Sequence, residues 1–278
     1  MAINLATKYA KKVADKFYLD SVIVGKTNRD YDWDGVKSIN VYTITTQTTN
    51  NYNRTASANR YGTPSEVQDT IQTMQITQDK SVSLVVDKGN NTEQMMVKNA
   101  GKVVALEQRE QFIPEFDKYC LAAFNTGRGQ YTVDASITKS NIVDAIGSHA
   151  AKLGNAKASL DDATTFIGWS NYAKLVSAPE FLHIEKLGVS TQEKGVLGMC
   201  RGLKIAAIPD DYLPEGVNFM TVKRSSVIAP TKIKDINLHV DPPGISGNLM
   251  EIRWLYDAFV LTAKKDGVVV SLTEAPSA

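Results

Sequence analysis

The chain has 278 residues, 43% of them hydrophobic, enough to fill one large core or two modest ones. Its 31 Lys and Arg balance 30 Asp and Glu, so no chain-wide basic field recruits nucleic acid, and any contact with DNA must be local. Two cysteines, Cys120 and Cys200, argue against a disulfide framework and fit a reducing interior, and no run approaches the roughly 20 apolar residues of a membrane helix.

Leu5, Tyr9, Val13 and Phe17, interleaved with Lys8, Lys11, Lys12 and Lys16, form a basic amphipathic stripe at helical spacing. A targeting helix has a similar look, but Asp15, Asp20 and the scarcity of Arg and Ser favour a docking arm or a surface helix. The arm closes on the turn-rich patch Tyr31-Asp-Trp-Asp-Gly35, whose two aromatics look exposed.

From Val36 to Thr49 the pattern is that of a strand, and a second strand-like run covers Ile71 to Val86. Between them Gln47 to Glu66 reads QTTNNYNRTASANRYGTPSE, which has nothing from which to build a core. A lone two-stranded ribbon is at best marginally stable in water, so so polar an extension needs something to lie against, and another subunit is the natural support. At about 3.3 Å per residue, ten-residue strands carry the tip roughly 30 Å from its root. A structureless surface loop is the alternative, though long ones are uncommon in compact domains.

Thr92 follows the turn Asp87-Lys-Gly-Asn-Asn91 and is placed to cap a helix with Met96, Ala100, Val103, Val104 and Glu107. Pro114 sits where a new helix would begin, with Phe116, Cys120 and Phe124 on one face and a stop at Gly127. Beyond Ser136 the texture becomes mixed α/β. Thr138 is placed to cap a helix bearing Ile142, Ile146, His149 and Leu153, with Gly154 past its end, and Thr164 to Gly168 is a short apolar strand. Alternating elements follow at Ser170 to Leu175, Val196 to Met199, Leu203 to Ile208 and Val217 to Val222. Strands at Ile233 to Val240, Leu249 to Ala263 and Val268 to Leu272 close the chain, with a Pro-rich hairpin turn at Asp241 to Gly247.

In this order the pieces resemble the major capsid proteins of tailed bacteriophages with the Hong Kong 97-type fold. The carrying stretches are Tyr61-Gly-Thr-Pro-Ser-Glu66, Val86-Asp-Lys-Gly-Asn90, Phe112-Ile-Pro-Glu-Phe-Asp-Lys-Tyr119, Thr138-Lys-Ser140, Gly202-Leu-Lys-Ile205, Tyr212-Leu-Pro214, Val240-Asp-Pro-Pro-Gly-Ile-Ser-Gly247 and Trp254-Leu-Tyr-Asp-Ala-Phe-Val-Leu261. The resemblance implies an α+β fold with an N-terminal arm (1–35), an extended two-stranded loop (36–88), a discontinuous peripheral domain with a spine helix (89–135 and 225–278) and an axial α/β domain (136–224). It implies a self-assembling, non-enzymatic subunit of an icosahedral virion shell, built of hexamers and pentamers in the host cytoplasm around double-stranded DNA held by weak non-specific contact. Portal, decoration and separate scaffolding proteins are the expected partners, and no cofactor, metal or membrane is expected. An encapsulin-like compartment shell of the same fold is the alternative; an enzyme with an unfamiliar site and a tail-tube or decoration protein are more remote. Some members weld neighbours through a loop lysine, but this chain has no Lys between Lys37 and Lys80, so no such cross-link is expected at the tip. Some also carry a scaffolding region ahead of the arm; here the loop begins within about 35 residues of Met1.

Candidates for chemistry are sparse. His149, His183 and His239 are the only histidines, and His149 falls on an apolar helical stripe, where a satisfied core histidine outweighs a catalyst. No HExxH, CxxC, GxxxxGK[ST] or GxSxG pattern occurs, and Gly127-Arg-Gly129 reads as a helix stop with a linker. Asp161-Asp162 and Asp210-Asp211 lie beside turn residues, where Asp serves capping. The Asn53 and Asn90 sequons are taken as chance. The residues singled out are Tyr52, Arg54, Arg60 and Tyr61 in the loop tip, as inter-subunit contact candidates, because guanidinium groups and aromatic rings are favoured interface anchors.

Overall fold

The computed structural model describes residues 20–31, 33, 37–89, 100–179 and 198–276. The N-terminal stripe, the Thr92 cap and His183 lie outside them. The chain divides into two compact units, one of Trp33–Gln75 and one of the remainder. The extended loop is expected over 36–88, but its last part, from Ile76 on, joins the larger unit instead.

The smaller unit is an antiparallel hairpin of β1 (Ser38–Ile44) and β2 (Asp69–Gln75), in unbroken register from Ser38 opposite Gln75 to Ile44 opposite Asp69. The single strand expected from Ile71 to Val86 is thus two, broken at Ile76 and Thr77 before β3 (Gln78–Asp87). Trp33 is buried rather than exposed: a large indole gains more from leaving water than it loses by ordering.

In the larger unit a helical run carries α1 (Ala100–Glu107), a π turn (Gln108–Phe112) and α2 (Ile113–Thr126) without interruption. Pro114 therefore does not open a new helix. The Ile113 N–H donates to the Gln108 carbonyl, five residues back, and this widened turn directly before Pro114 accommodates a ring that would clash with the carbonyl four residues back in a regular helix. Gly127 ends the run, but with φ −83° it needs no left-handed backbone. Its reason is space, since a Cβ there would lie 2.7 Å from Val260 Cγ2.

After β4 (Gln130–Val133), helix α3 (Ile142–Asn155) begins at Asn141 rather than Thr138. The Asn141 Oδ1 accepts the Thr138 N–H at 2.8 Å while the Thr138 carbonyl accepts the Ile142 N–H, so the expected cap residue supplies backbone to the turn and Asn141 supplies the side chain. Gly154 lies inside the last turn of α3. Then come β5 (Ala163–Gly168), α4 (Trp169–Val176), β6 (Gly198–Cys200), β7 (Leu203–Ile208), β8 (Val217–Lys223), β9 (Val227–Ile228), β10 (Thr231–Val240), β11 (Gly247–Tyr256), β12 (Phe259–Val260) and β13 (Val268–Leu272).

Six strands form one mixed sheet in the order β4-β13-β8-β5-β7-β6, covered on both faces. The period-two alternation of strand side chains sorts the core into two layers. Phe166, Ala206, Ile208, Met220, Val222, Val268 and Val270 face one way, in a core shared with Phe116, Cys120, Leu121 and Phe124 of α2. Their neighbours Ile167, Ile205, Phe219 and Val269 face the other, with Ile142, Ile146 and Leu153 of α3 and Leu175 of α4. Each such side chain contributes about 1.5–3 kcal/mol by leaving water. A second sheet, β10-β11-β3, lays Ile252, Trp254 and Tyr256 on the α2 core, with Phe112 stacked on Trp254 at 4.6 Å. The expected peripheral and axial parts thus meet in one core. Strands β4 and β13, placed by the sequence reading in the peripheral part, pair in the six-stranded sheet, β13 with β8 and β4.

Candidate assembly surfaces

The hairpin alternates half-buried and exposed residues along β1, and Met74 of β2 is buried. Its exposed face is not polar throughout. Tyr42 stands opposite Ile71, next to Ile44, and the three are 61%, 56% and 69% exposed. Cross-strand aromatic and β-branched pairs stabilise a ribbon modestly, yet this face leaves most of its apolar area in water.

Beyond β1 the tip is an ordered turn held by its own side chains. Asn53 Oδ1 accepts the Thr55 and Ala56 N–H groups, and the Asn53 N–H donates to the Arg60 carbonyl at 3.0 Å. Asn59 and Gly62 take positive φ, 54° and 96°, which lets the chain reverse. This brings Tyr52 and Tyr61 edge to face at 4.9 Å, while Arg60 Nε donates to the Ala56 carbonyl at 2.7 Å. Arg54 is exposed on the same turn. Of the four candidates, the structure gathers the two tyrosines into one pair and fixes Arg60 beside them. The alternation of β1 carries the only sequence signal for the Tyr42, Ile44 and Ile71 face, and it is ambiguous because a strand has two faces and nothing local says which is covered.

Among the described residues, the groups weighed for chemistry are buried or bonded within the chain. His149 is fully buried on α3, with Nδ1 2.9 Å from Thr221 Oγ1 and Nε2 3.2 Å from Thr132 Oγ1; burial holds its pKa down to about 3. Thr221 also meets Thr165 at 2.9 Å, and Thr132 and Ser271 both donate to Asp134. His239 lies beside Glu251 at 3.2 Å on an exposed sheet face. Asp210 accepts the Ser170 N–H at the start of α4, and Asp211 pairs with Lys118 at 2.6 Å. The Asp161 and Asp162 carbonyls accept from Lys223 and the Arg224 N–H. Burial pushes the Cys120 thiol well up and the Cys200 thiol up to about 11. Among the described residues no cluster of three or more His, Cys, Asp or Glu is arranged to hold a metal, and no helix is long and apolar enough to cross a membrane.

No family model matches the sequence, and no curated protein does. Solved structures do. The capsid of the cyanophage P-SCSP1u aligns with a TM-score of 0.74 at 12% identity, over 96% of this chain and 92% of that one. The mature capsid of bacteriophage PhiM1 aligns with a TM-score of 0.73 at 13% identity, over 98% and 93%. A chain from Mycobacterium phage Che8 aligns at 0.70 and 16% identity, over 96% and 97%. A virus-like particle from Pyrococcus furiosus is a looser match, 0.53 at 13% identity over 84% and 86%. The fold is therefore the Hong Kong 97-type α+β fold that these capsids share.

Proposed function

We propose that the chain is the major capsid protein of a tailed phage, a structural subunit that assembles with copies of itself into the icosahedral head around double-stranded DNA. The observation that carries this reading is the nearly end-to-end likeness, on both chains, to phage capsids. A capsid domain embedded in a different machine would leave part of one chain unmatched.

The hairpin suits the same role. Its apolar face and its Tyr52, Arg54, Arg60 and Tyr61 tip are groups that gain from a partner surface. Identical copies supply such a surface repeatedly, closing rings that then share edges. Affinity is spread over many modest contacts per copy, so no one site dominates. The shell is a part of the virion, built in the host cytoplasm, with portal, scaffolding and decoration proteins as its partners. The role asks for no catalysis.

Likeness to the Pyrococcus particle favours a second reading, a compartment shell of the same fold, but less strongly, at 0.53 against 0.74. Electron microscopy of the purified, overexpressed protein tests both. Shells, tubes or capsomer rings are expected; a monodisperse small oligomer at high concentration would contradict both. Packaged DNA in particles from infected cells supports the phage head, and an enclosed enzyme cargo supports the compartment.

A further inference from the structure

Among the described residues two carboxylates lie buried in the larger unit, Asp117 and Asp257, at 0% and 3% exposure. A buried charge is costly unless hydrogen bonds replace its water, so what each one binds is informative. Asp117, on α2, accepts from Ser21 Oγ at 2.6 Å and from the Val22 N–H at 2.9 Å. Val22 and Ile23 are thereby seated in the α2 core. Further along the same segment, the Asn28 N–H donates to the Val227 carbonyl and Arg224 Nε to the Thr27 carbonyl.

Asp257, just past β11, is filled on both oxygens. Oδ2 accepts the Thr77 N–H at 2.8 Å and Thr77 Oγ1 at 2.9 Å; Oδ1 accepts Tyr119 OH at 2.7 Å and the Ala258 N–H at 2.8 Å. Thr77 is the second residue after β2 ends at Gln75. Tyr119, like Asp117, belongs to α2, and two residues apart on a helix means roughly 200° around its axis. The helix therefore carries a fastening on either side, one for the N-terminal segment and one for the stretch that follows the hairpin.

We infer that Asp117 and Asp257 are clasps, one seating the segment from Ser21 on α2 and the other fixing the stretch just after the hairpin, with α2 as the rigid spacer between them. The consequence for assembly rests on the shell reading, because identical tiles require identical exit points; the clasps themselves belong to the single chain. The two differ in a testable way. An Asn at 257 must turn its amide toward donors in either orientation, whereas an Asn at 117 turns its amide to Ser21, whose hydroxyl also accepts.

Hydrogen exchange of the dilute subunit and microscopy of its particles test the inference together. In Asp257→Asn the Thr77 or the Ala258 amide, whichever faces the new NH2 group, exchanges about tenfold faster or more, with Val22 unchanged. Asp117→Asn changes both amides little, and Asp117→Ala frees Val22 alone. The gentler Thr77→Val and Tyr119→Phe keep the fold and raise exchange at residue 77 several-fold. Particles from the residue 257 and residue 77 variants become mixed in size. Unchanged exchange at both residues 77 and 258, or equal loosening at residue 22, overturns the clasps, and uniform particles of wild-type size overturn their consequence for assembly. If the wild-type chain forms no particle, the shell reading fails, while the exchange arm still decides whether the clasps exist.

Discussion

Strand β5 and strand β1 are both short, β-branched segments bounded by turns, yet all six residues of β5 are buried and none of the seven of β1 is. Their ladders are equally regular. What separates them is cover: β5 has α2 on one side and α3 with α4 on the other, while the Tyr42, Ile44 and Ile71 face of the hairpin is open. Hydrogen bonding along a ladder yields little net free energy, because water satisfies the same groups in the unfolded chain; covering the faces is what stabilises a sheet. One region of this molecule is therefore covered by its own chain, and the other leaves an apolar face in water, which the proposed shell would cover.

The sharpest test of this contrast is a pair of substitutions. Phe219→Ala, in the core between the sheet and α3, destabilises the isolated subunit by about 3–5 kcal/mol, read by denaturant unfolding. Ile71→Ser in the hairpin shifts the same midpoint by less than about 0.5 kcal/mol. Equal costs would erase the distinction between the two regions.

Gly127→Ala tests how tightly the α2 layer is packed. The new Cβ meets Val260, and the cost is about 1–3 kcal/mol, recovered largely in the double variant with Val260→Ala.

The buried His149 gives the complete region a pH signature. Its folded pKa, about 3, lies below its ordinary 6.5, so between these values the unfolded chain takes up a proton that the folded chain refuses. Its contribution is intact above pH 6.5 and falls as pH drops toward 3, by at most about 1.4 kcal/mol per unit. Asp117 acts in the opposite sense: burial raises its pKa, so stability falls as pH rises from its ordinary 3.8 through the folded value. Subtracting the pH profile of His149→Gln from that of the wild type isolates the histidine, and a flat difference would contradict its neutral burial.

At the other extreme, Arg54→Glu and Arg60→Glu leave unfolding within about 0.5 kcal/mol of wild type but block or weaken particle formation, followed by light scattering. Normal particles from both would remove the tip arginines from the interface.

Much of the larger unit was legible because its signals are local. The apolar run Thr164 to Gly168, the stripe Ile142, Ile146 and Leu153, and the Pro-rich turn before Gly247 each declare an element within a few residues. Pro114 misled because a helix-start signal is ambiguous when a π turn precedes it. The pairing of β13 with β4 was hidden by distance, Val269 standing opposite Gln130, and no local pattern specifies such a partner. Trp33 was misplaced because turn residues flank it, although its burial is decided by the tertiary structure. At the tip, residue types pointed to Tyr52 and Tyr61, but their edge-to-face pairing required the reversal at Asn59 and Gly62. Asp117 and Asp257 gave no signal, since an isolated Asp beside apolar residues reads as a surface position until its partners are known.

In the proposed shell, other copies of the chain finish the hairpin. Hydrogen exchange across residues 38–75, measured on the dilute subunit and again on assembled particles, addresses it directly. Rapid exchange is expected in the lone chain and strong protection in the particle, greatest around Tyr42, Ile44 and Ile71 and at the tyrosine pair of the tip. Full protection already present in the dilute subunit, or none gained on assembly, would contradict it.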